Sequence, residues 1–313
     1  MKKIVAGILV VLLVLFLLSY FVLPARPRAL ATVYTQATTT STQLFLLDEN
    51  KWAAWWPADS AGSPSPHSFV YAGDTFRIGK KLYPVFSVTI QPPGGDPLTT
   101  LLSIIPLNRD STSVTWEYVS PGSLNPLTRI KHSRQTKRLQ ENMKAILSSL
   151  QRFLHDDKNI YGITVVEQVV KDTLLVTTKA TFPDTPAVAS VYDLIHSLRS
   201  YVAAEGATAT NYPMMHTHRT YNKTVEVMVA LPVNKVLANQ NGISFKRMPP
   251  GNILVTHVTG GPGMIRQTFQ QLELYMRDHQ RESPAVPFEL METDRLQEPD
   301  TAKWVTGIYY PVF

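Results

Sequence analysis

The first hydrophobic pattern in the chain is an uncharged apolar run over residues 4–23. A helix of this length, rising about 1.5 Å per residue, spans about 30 Å, which is the thickness of the hydrocarbon core of a bilayer. Pro24 ends the run, and Lys2 and Lys3 precede it, which favours a cytoplasmic N-terminus. The pattern predicts a single-pass inner-membrane anchor over residues 1–24, followed by periplasmic domains. A cleaved signal peptide with its site near residues 29–31 is the alternative.

Short segments of alternating polarity follow, and they predict a first domain over residues 25–158. The predicted strands cover residues 29–36, 68–72, 75–78, 83–91, 99–105 and 113–118, with two short helices within residues 41–56. Residues 79–81 are a predicted turn. A long helix is predicted over residues 133–155 from an apolar stripe of Leu139, Met143, Ile146, Leu147, Leu150, Phe153 and Leu154. Because this helix must bury its stripe, we expect it to pack on the concave face of the sheet and to leave a cavity there.

The C-terminal half contains one pattern twice, which predicts a pseudo-symmetric second domain over residues 159–313. The recurring residues are Tyr201, Pro213 and Pro232-Val233, which return as Tyr275, Pro287 and Pro311-Val312 at offsets of 74, 74 and 79. Each copy is predicted to fold as strand, helix, strand, strand, with helices over residues 185–204 and from residues 260–262 to residue 281. A repeated unit that cannot bury its face alone implies a seam between the halves, and such seams favour small-molecule pockets.

Composition narrows the chemistry that the chain can perform. Hydrophobic residues make up 44% of it and charged residues 17%, which suits packed domains rather than disorder. There is no cysteine, so disulfides, thiol nucleophiles and Cys-ligated metals are excluded. The net charge of +6 is partly local, since Lys131, Arg134, Lys137 and Arg138 cluster beside Arg129. We expect a solvated helix face there, with nucleic acid or anionic lipid as the alternative partner.

Familiar catalytic and nucleotide-binding motifs are absent from the sequence, which contains no GxGxxG, P-loop, HExxH or GxSxG pattern. Residues 260–263 directly precede a predicted helix. They would either bind an anion at the helix N-terminus or form a tight turn, and the tight turn is the preferred interpretation. His216 and His218 share one side of a predicted strand but have no third ligand in the pattern, so no metal or cofactor is expected. No helix-turn-helix precedes the second domain, and no nucleic-acid partner is expected.

The second domain resembles the gyrase-inhibitor-like effector-binding family, which also forms the ligand-sensing part of multidrug-responsive transcription activators. The resemblance covers residues 161–313. It rests on the duplicated frame, on GGP at residues 260–262, on PFE at residues 287–289 and on TGIYYPV at residues 306–312. It implies a cleft between the halves that binds lipophilic, often cationic, molecules. The acidic residue of the family falls on Glu289, whereas Met291 stands where an aromatic residue often follows.

The first domain is similar to the START-like helix-grip superfamily, which includes polyketide cyclase-like proteins. This resemblance covers residues 29–156 and rests on LFLLD at residues 44–48, on WAAWWP at residues 52–57 and on the long closing helix. Catalysis is not uniform in this superfamily, so no catalytic residue is implied. Core packing is the preferred interpretation of Trp52 and Trp55, and contact with an apolar ligand or with lipid headgroups is the alternative.

The candidate binding residues centre on a difference between the two copies, because Met215 in the first is Glu289 in the second. A carboxylate among apolar neighbours tends to have a raised pKa unless a cation arrives, which makes Glu289 a candidate counter-ion for a cationic ligand. A surface glutamate on an alternating strand is the alternative. The other candidates for the pocket wall, each with a place in the core as its alternative, are Tyr212, Met214, Met215, His216, Phe288, Trp304 and Tyr309.

We therefore expect an α+β protein that captures or senses a lipophilic small molecule, including cationic ones, without catalysis and while tethered to the membrane. An enzyme is the second hypothesis. Some relatives of the effector-binding family are similar to hydrolases that open reactive small rings, and here Glu289 would be the general base, with Tyr275 or Tyr309 as a hydrogen-bond donor. A structural or interaction role, in which side chains fill the pockets, is the third hypothesis.

Overall fold

The computed structural model describes residue 16, residues 23–57 and residues 68–312 of the chain. The chain divides into two compact units, Met1–Asp156 and Asp157–Phe313, and both combine helices with antiparallel sheet. Apart from Phe16, Leu23 and Pro24, the predicted anchor over residues 1–24 lies outside the described residues. Within the described part of the chain, no helix is both long enough and apolar enough to cross a bilayer.

The described residues of the first unit form a six-stranded antiparallel sheet and three α-helices. Its strands are β1 (Arg28–Thr35), β2 (Phe69–Tyr71), β3 (Asp74–Leu82), β4 (Val85–Gln91), β5 (Leu98–Asn108) and β6 (Ser111–Val119), in the order β1-β6-β5-β4-β3-β2. Its helices are α1 (Thr39–Leu47), α2 (Trp52–Trp55) and α3 (Pro126–Leu154). The predicted succession of a strand, two short helices, antiparallel strands and a long helix is confirmed. Helix α3 packs mainly against β1.

Two boundaries differ from those predicted for the first unit. Helix α3 begins at Pro126, where the Asn125 side chain accepts the backbone N–H of Leu127 at 2.9 Å and caps the helix. The predicted start at residue 133 is late, because the apolar stripe begins only in the fourth turn. The predicted turn at residues 79–81 is wrong. These residues continue β3, whose pairing with β4 shifts register there.

Aromatic side chains fill much of the space under the helices of the first unit. The rings of Trp52 and Trp56 stack with their centroids 5.2 Å apart. The indole N–H groups of Trp52 and Trp55 donate to the carbonyl oxygens of Leu46 and Phe45 at 2.9 and 3.0 Å. Both indoles are buried and hydrogen-bonded. Trp52 and Trp55 therefore belong to the core, and the structure does not present them to a ligand.

A buried polar contact joins α3 to the first residue of β3. Asp74 accepts from Nη2 of Arg138 at 2.8 Å and from Nδ2 of Asn142 at 3.2 Å. Burial raises the pKa of Asp74, and the charge of Arg138 acts in the opposite direction. Arg129 is also buried, and its Nε donates to the carbonyl oxygen of Ser123 at 2.7 Å. The basic residues at the start of α3 are thus only in part the solvated face that the sequence predicts.

Residues 157–312, the described part of the second unit, form an eight-stranded antiparallel sheet and three α-helices. Its strands are β7 (Val166–Val169), β8 (Leu174–Phe182), β9 (Met214–Arg219), β10 (Val225–Pro232), β11 (Ser244–Arg247), β12 (Asn252–Thr259), β13 (Phe288–Met291) and β14 (Val305–Val312). Their order is β11-β8-β10-β9-β13-β14-β12-β7. Its helices are α4 (Asp157–Tyr161), α5 (Val188–Ala204) and α6 (Pro262–Asp278).

This strand order is symmetric about the β9–β13 pair, which confirms the duplication. One half contains α5 with β8, β9 and β10, and the other contains α6 with β12, β13 and β14. Helices α5 and α6 each have 17 residues, and their first residues, Val188 and Pro262, are 74 positions apart, as the repeat requires. The edge strands are exchanged, however, since β7 pairs with β12 and β11 pairs with β8. Each half therefore receives its edge strand from the other half.

Helices α5 and α6 each pack on the strands of their own half. An apolar stripe on each of these helices faces the strands. Under α5 the buried residues include Val191, Ile195, Leu198 and Val202, and under α6 they include Ile265, Leu272 and Met276. A third cluster, which includes Met214, Ile253, Phe288 and Leu290, is formed by side chains of the alternate strand positions.

Candidate functional site

A cleft lies over the central strands β9 and β13, between the N-terminal parts of α5 and α6, and has a volume of about 740 Å³. Because each helix covers only its own half of the sheet, the seam between the halves stays open at this point. The residues that line the cleft are Thr185, Pro186, Val188, Val191, Tyr192, Met215, His216, Thr217, Arg219, Val225, Pro262, Ile265, Arg266, Phe269, Glu273, Pro287, Glu289, Met291, Arg295 and Trp304. The structure thus has a cavity at the predicted seam.

Glu289 lies in the wall of this cleft, directly across the central strand pair from Met215. These are the two residues that the repeat places at equivalent positions, so the local symmetry axis passes between them. The Glu289 side chain is 13% exposed, which excludes the alternative of a surface glutamate. Strand alternation turns Glu289 and Met291 towards the cleft, whereas Phe288 and Leu290 join the third core cluster.

The Glu289 carboxylate is paired with the guanidinium group of Arg295. Nη2 of Arg295 lies 2.8 Å from Oε2 of Glu289 and also donates to Oγ1 of Thr306 at 3.0 Å. Cζ of Arg295 lies 4.8 Å from the centroid of the Trp304 ring, in a cation–π contact. Burial raises the pKa of Glu289, and the charge and hydrogen bond of Arg295 act to lower it. Glu289 already has a cation within the protein, so it is not the free counter-ion that we expected from the sequence.

Sequence reasoning missed both Arg295 and Tyr192, which line the cleft. The Tyr192 hydroxyl on α5 accepts the backbone N–H of Arg295 at 2.6 Å, and burial raises the pKa of this tyrosine. This bond links the loop after β13 to the helix of the other half. One feature of the sequence points to that loop. The second copy has extra residues between Pro287 and Pro311, and Arg295 lies in this stretch.

Four predicted wall residues lie elsewhere. Phe288 and Tyr309 stack on each other with ring centroids 5.1 Å apart. Met214 and Phe288 belong to the third core cluster. Tyr212 precedes β9 and is 51% exposed. None of the four lines the cleft. Strand alternation is the reason for Met214 and Phe288, because it turns them away from their neighbours Met215 and Glu289. The predicted residues that do line the cleft are Met215, His216, Glu289 and Trp304.

The tyrosines of the hydrolase hypothesis also lie outside the wall of the cleft. Tyr275 stacks on His279 with centroids 4.1 Å apart, near the end of α6, and Tyr309 packs on Phe288. The predicted group of Glu289 with Tyr275 or Tyr309 is therefore not assembled in the cleft. Across residues 23–57 and 68–312, no cluster of three or more His, Asp or Glu side chains is arranged to hold a metal ion.

No protein-family model matches this chain, and a comparison with curated proteins gives no match. Among solved structures, the C-terminal domain of EcmrR is 20% identical, with a TM-score of 0.42, over 48% of this chain and 98% of that domain. SAV2435 bound to tetraphenylphosphonium is 15% identical, with a TM-score of 0.32, over 48% of this chain and 93% of that one. A hydrolase from Listeria innocua is 8% identical, with a TM-score of 0.37, over 48% and 91%.

These neighbours include domains with the gyrase-inhibitor-like effector-binding fold. The START-like resemblance of the first unit finds no support among them. At such identities, and with TM-scores below 0.5, the likeness carries no information on what the cleft binds. The function of the cleft has to be inferred from its own residues.

Proposed function

We propose that the second unit binds a lipophilic small molecule in the cleft between its halves and does not transform it. The observation that carries this proposal is a cleft of about 740 Å³ at the seam, with a mainly apolar wall and one buried ion pair. Its volume falls within the range of roughly 300–1,000 Å³ that is typical of small-molecule pockets.

Both halves contribute apolar side chains to the cleft. Val191 comes from α5, Ile265 and Phe269 come from α6, and Met215 and Met291 come from the central strands. Methionine side chains are flexible and polarizable, so this wall can adapt to ligands of different shape. A molecule bound here would contact both copies of the repeat and would be recognised mainly through its apolar surface.

Binding is favoured over hydrolysis by the state of Glu289. A general base needs a carboxylate oxygen directed at the group it deprotonates, and Oε2 of Glu289 is instead held by Arg295 at 2.8 Å. Tyr275 and Tyr309, the predicted hydrogen-bond donors, do not line the cleft.

Titration of the full chain with Nile red, a neutral lipophilic dye, tests the proposal. Met215→Trp adds volume inside the cleft, and we expect it to weaken dye binding by about tenfold or more, which is about 1.4 kcal/mol. The matched control is Tyr221→Trp, which adds the same side chain at a fully exposed position of the same unit. Equal affinity in the two variants, both with native circular dichroism, would sink the proposal.

Membrane attachment through residues 4–23 is a separate proposal that rests on the hydropathy of this run. We expect the full chain to stay with inner membranes during carbonate extraction and a variant without residues 1–24 to be released. Release of the full chain would contradict the anchor without affecting the cleft.

A further inference from the structure

Arg295 keeps unused hydrogen-bonding capacity after it has paired with Glu289. A guanidinium group carries five N–H donors, and here Nη2 serves both Glu289 and Thr306. Nε is buried and has no partner among the described residues, in a side chain that is only 7% exposed. A buried donor without an acceptor is unfavourable, so Glu289 and Thr306 leave part of the hydrogen-bonding capacity of this cation unsatisfied. Arg295 also lines the cleft, where an acceptor on a ligand would pair with it.

Two helix N-termini open onto the same cleft. Pro186 and Val188 at the start of α5 line it, and so does Pro262 at the start of α6. The N-cap residues, Ala187 and Gly261, provide no capping side chain, and neither helix has an acidic residue in its first turn. Each terminus therefore keeps a partial positive charge of about half an elementary charge. The N-termini of α5 and α6 therefore both place a partial positive charge at the same cleft.

The charged side chains of the wall add to this bias. Arg219 and Arg266 both line the cleft. Arg219 has a solvent-exposed pair with Asp184 at 3.3 Å, and Arg266 makes no ion pair with any described residue. Besides Glu289, the acid in the wall is Glu273, which lies about two helical turns beyond Arg266. Near the start of α6 the wall is therefore cationic.

From these observations we propose that the cleft binds lipophilic anions, carboxylates with an apolar tail, in preference to lipophilic cations. The acidic head group lies near Arg295, Arg266 and the N-terminus of α6, and the tail lies against Met215 and Met291. The preference arises because Arg295 already neutralises Glu289, so a cation would meet no free negative charge beside it. This inference rests on the proposed function and reverses the ligand charge that the family resemblance implies.

Competition against Nile red with three ligands that share a ten-carbon tail tests the inference on the full chain. The ligands are decanoate, decan-1-ol and decyltrimethylammonium, each below its critical micelle concentration and at neutral pH. We expect decanoate to displace the dye at a concentration about tenfold lower than decyltrimethylammonium, as charge-assisted hydrogen bonds predict, with decan-1-ol between them. Equal displacement, or stronger displacement by the cation, would overturn the inference.

Arg266→Gln locates the head group. We expect this substitution to reduce the preference for decanoate by about threefold, the effect of one exposed charge. The matched control is Arg277→Gln on the same helix, because Arg277 is exposed and does not line the cleft. An unchanged preference in Arg266→Gln contradicts the position given to the head group. Loss of the anion preference while Met215→Trp still weakens Nile red binding refutes only this inference, whereas a chain that binds no Nile red refutes the proposed function as well.

Discussion

The buried pair of Glu289 and Arg295 leads to a quantitative prediction for the second unit. We predict that Arg295→Met lowers the free energy of unfolding by about 3–5 kcal/mol, because it leaves a buried carboxylate without its cation. The two side chains are 13% and 7% exposed and their atoms are 2.8 Å apart, so water and salt screen the pair only weakly. Glu289→Gln should cost a comparable amount, because it leaves the guanidinium group unpaired.

The double variant should cost much less than the sum of the two single variants. We expect a coupling energy of about 2–3 kcal/mol from this double-mutant cycle. Contacts that each side chain makes with third groups, such as the cation–π contact with Trp304, largely cancel in the cycle. Urea unfolding of the full chain, followed by circular dichroism, measures the four stabilities. If the cost of the double variant equals the sum of the two single costs within about 0.5 kcal/mol, Glu289 and Arg295 do not form a direct pair in solution.

The same pair predicts how stability depends on pH. Burial raises the pKa of Glu289 above its ordinary value of 4.5. A carboxyl group whose pKa is raised in the folded state binds protons more tightly there than in the unfolded chain, so its contribution to stability falls as pH rises past the unfolded value. Arg295→Met removes the opposing charge. The cost of that variant should therefore be small near pH 4 and grow towards pH 7, and a cost that does not change with pH would contradict this reasoning.

Three further predictions concern the packing of both units. Tyr192→Phe removes the acceptor of the partly buried backbone N–H of Arg295 and should lower the stability of the second unit by about 1–3 kcal/mol in urea unfolding. Leu147→Ala, at a fully buried position of α3, should cost the first unit about 2–5 kcal/mol, measured by tryptophan fluorescence. Gly307→Ala would place a Cβ atom 2.6 Å from Cε2 of Tyr309, which is itself packed on a ring, and should lower the melting temperature through a clash worth about 1–3 kcal/mol. Gly263→Ala has open space around its Cβ position and is the control that should leave the melting temperature unchanged or raise it.

The repeat made much of the second unit predictable from the sequence. A periodic apolar pattern identifies each helix locally. The offset of 74 residues between Tyr201 and Tyr275 then shows that two helices far apart in the chain are equivalent. The same offset placed Met215 and Glu289 at equivalent positions, and the structure pairs them across the central strands. The cleft follows from this symmetry, because each helix covers only its own half.

The residues that the sequence did not reveal depend on contacts between distant segments. Arg295 lies in an irregular loop without an equivalent in the first copy, so no pattern links it to Glu289. The exchange of β7 and β11 between the halves concerns which strands the edge strands pair with. The order of the strands along the chain does not determine this pairing. Phe288 and Tyr309 were within reach of sequence reasoning, since strand alternation separates Phe288 from its neighbour Glu289.

Photoaffinity labelling of the full chain with a decanoate analogue that carries a diazirine in its tail tests most directly whether the cleft is the ligand site. We predict that peptide mapping will find the label within residues 185–192, 215–225, 262–273 and 287–304, which contain the lining of the cleft. Excess unlabelled decanoate should suppress this labelling, and Met215→Trp should reduce it. Label confined to the first unit, Met1–Asp156, or spread evenly over the surface would contradict ligand binding in the cleft.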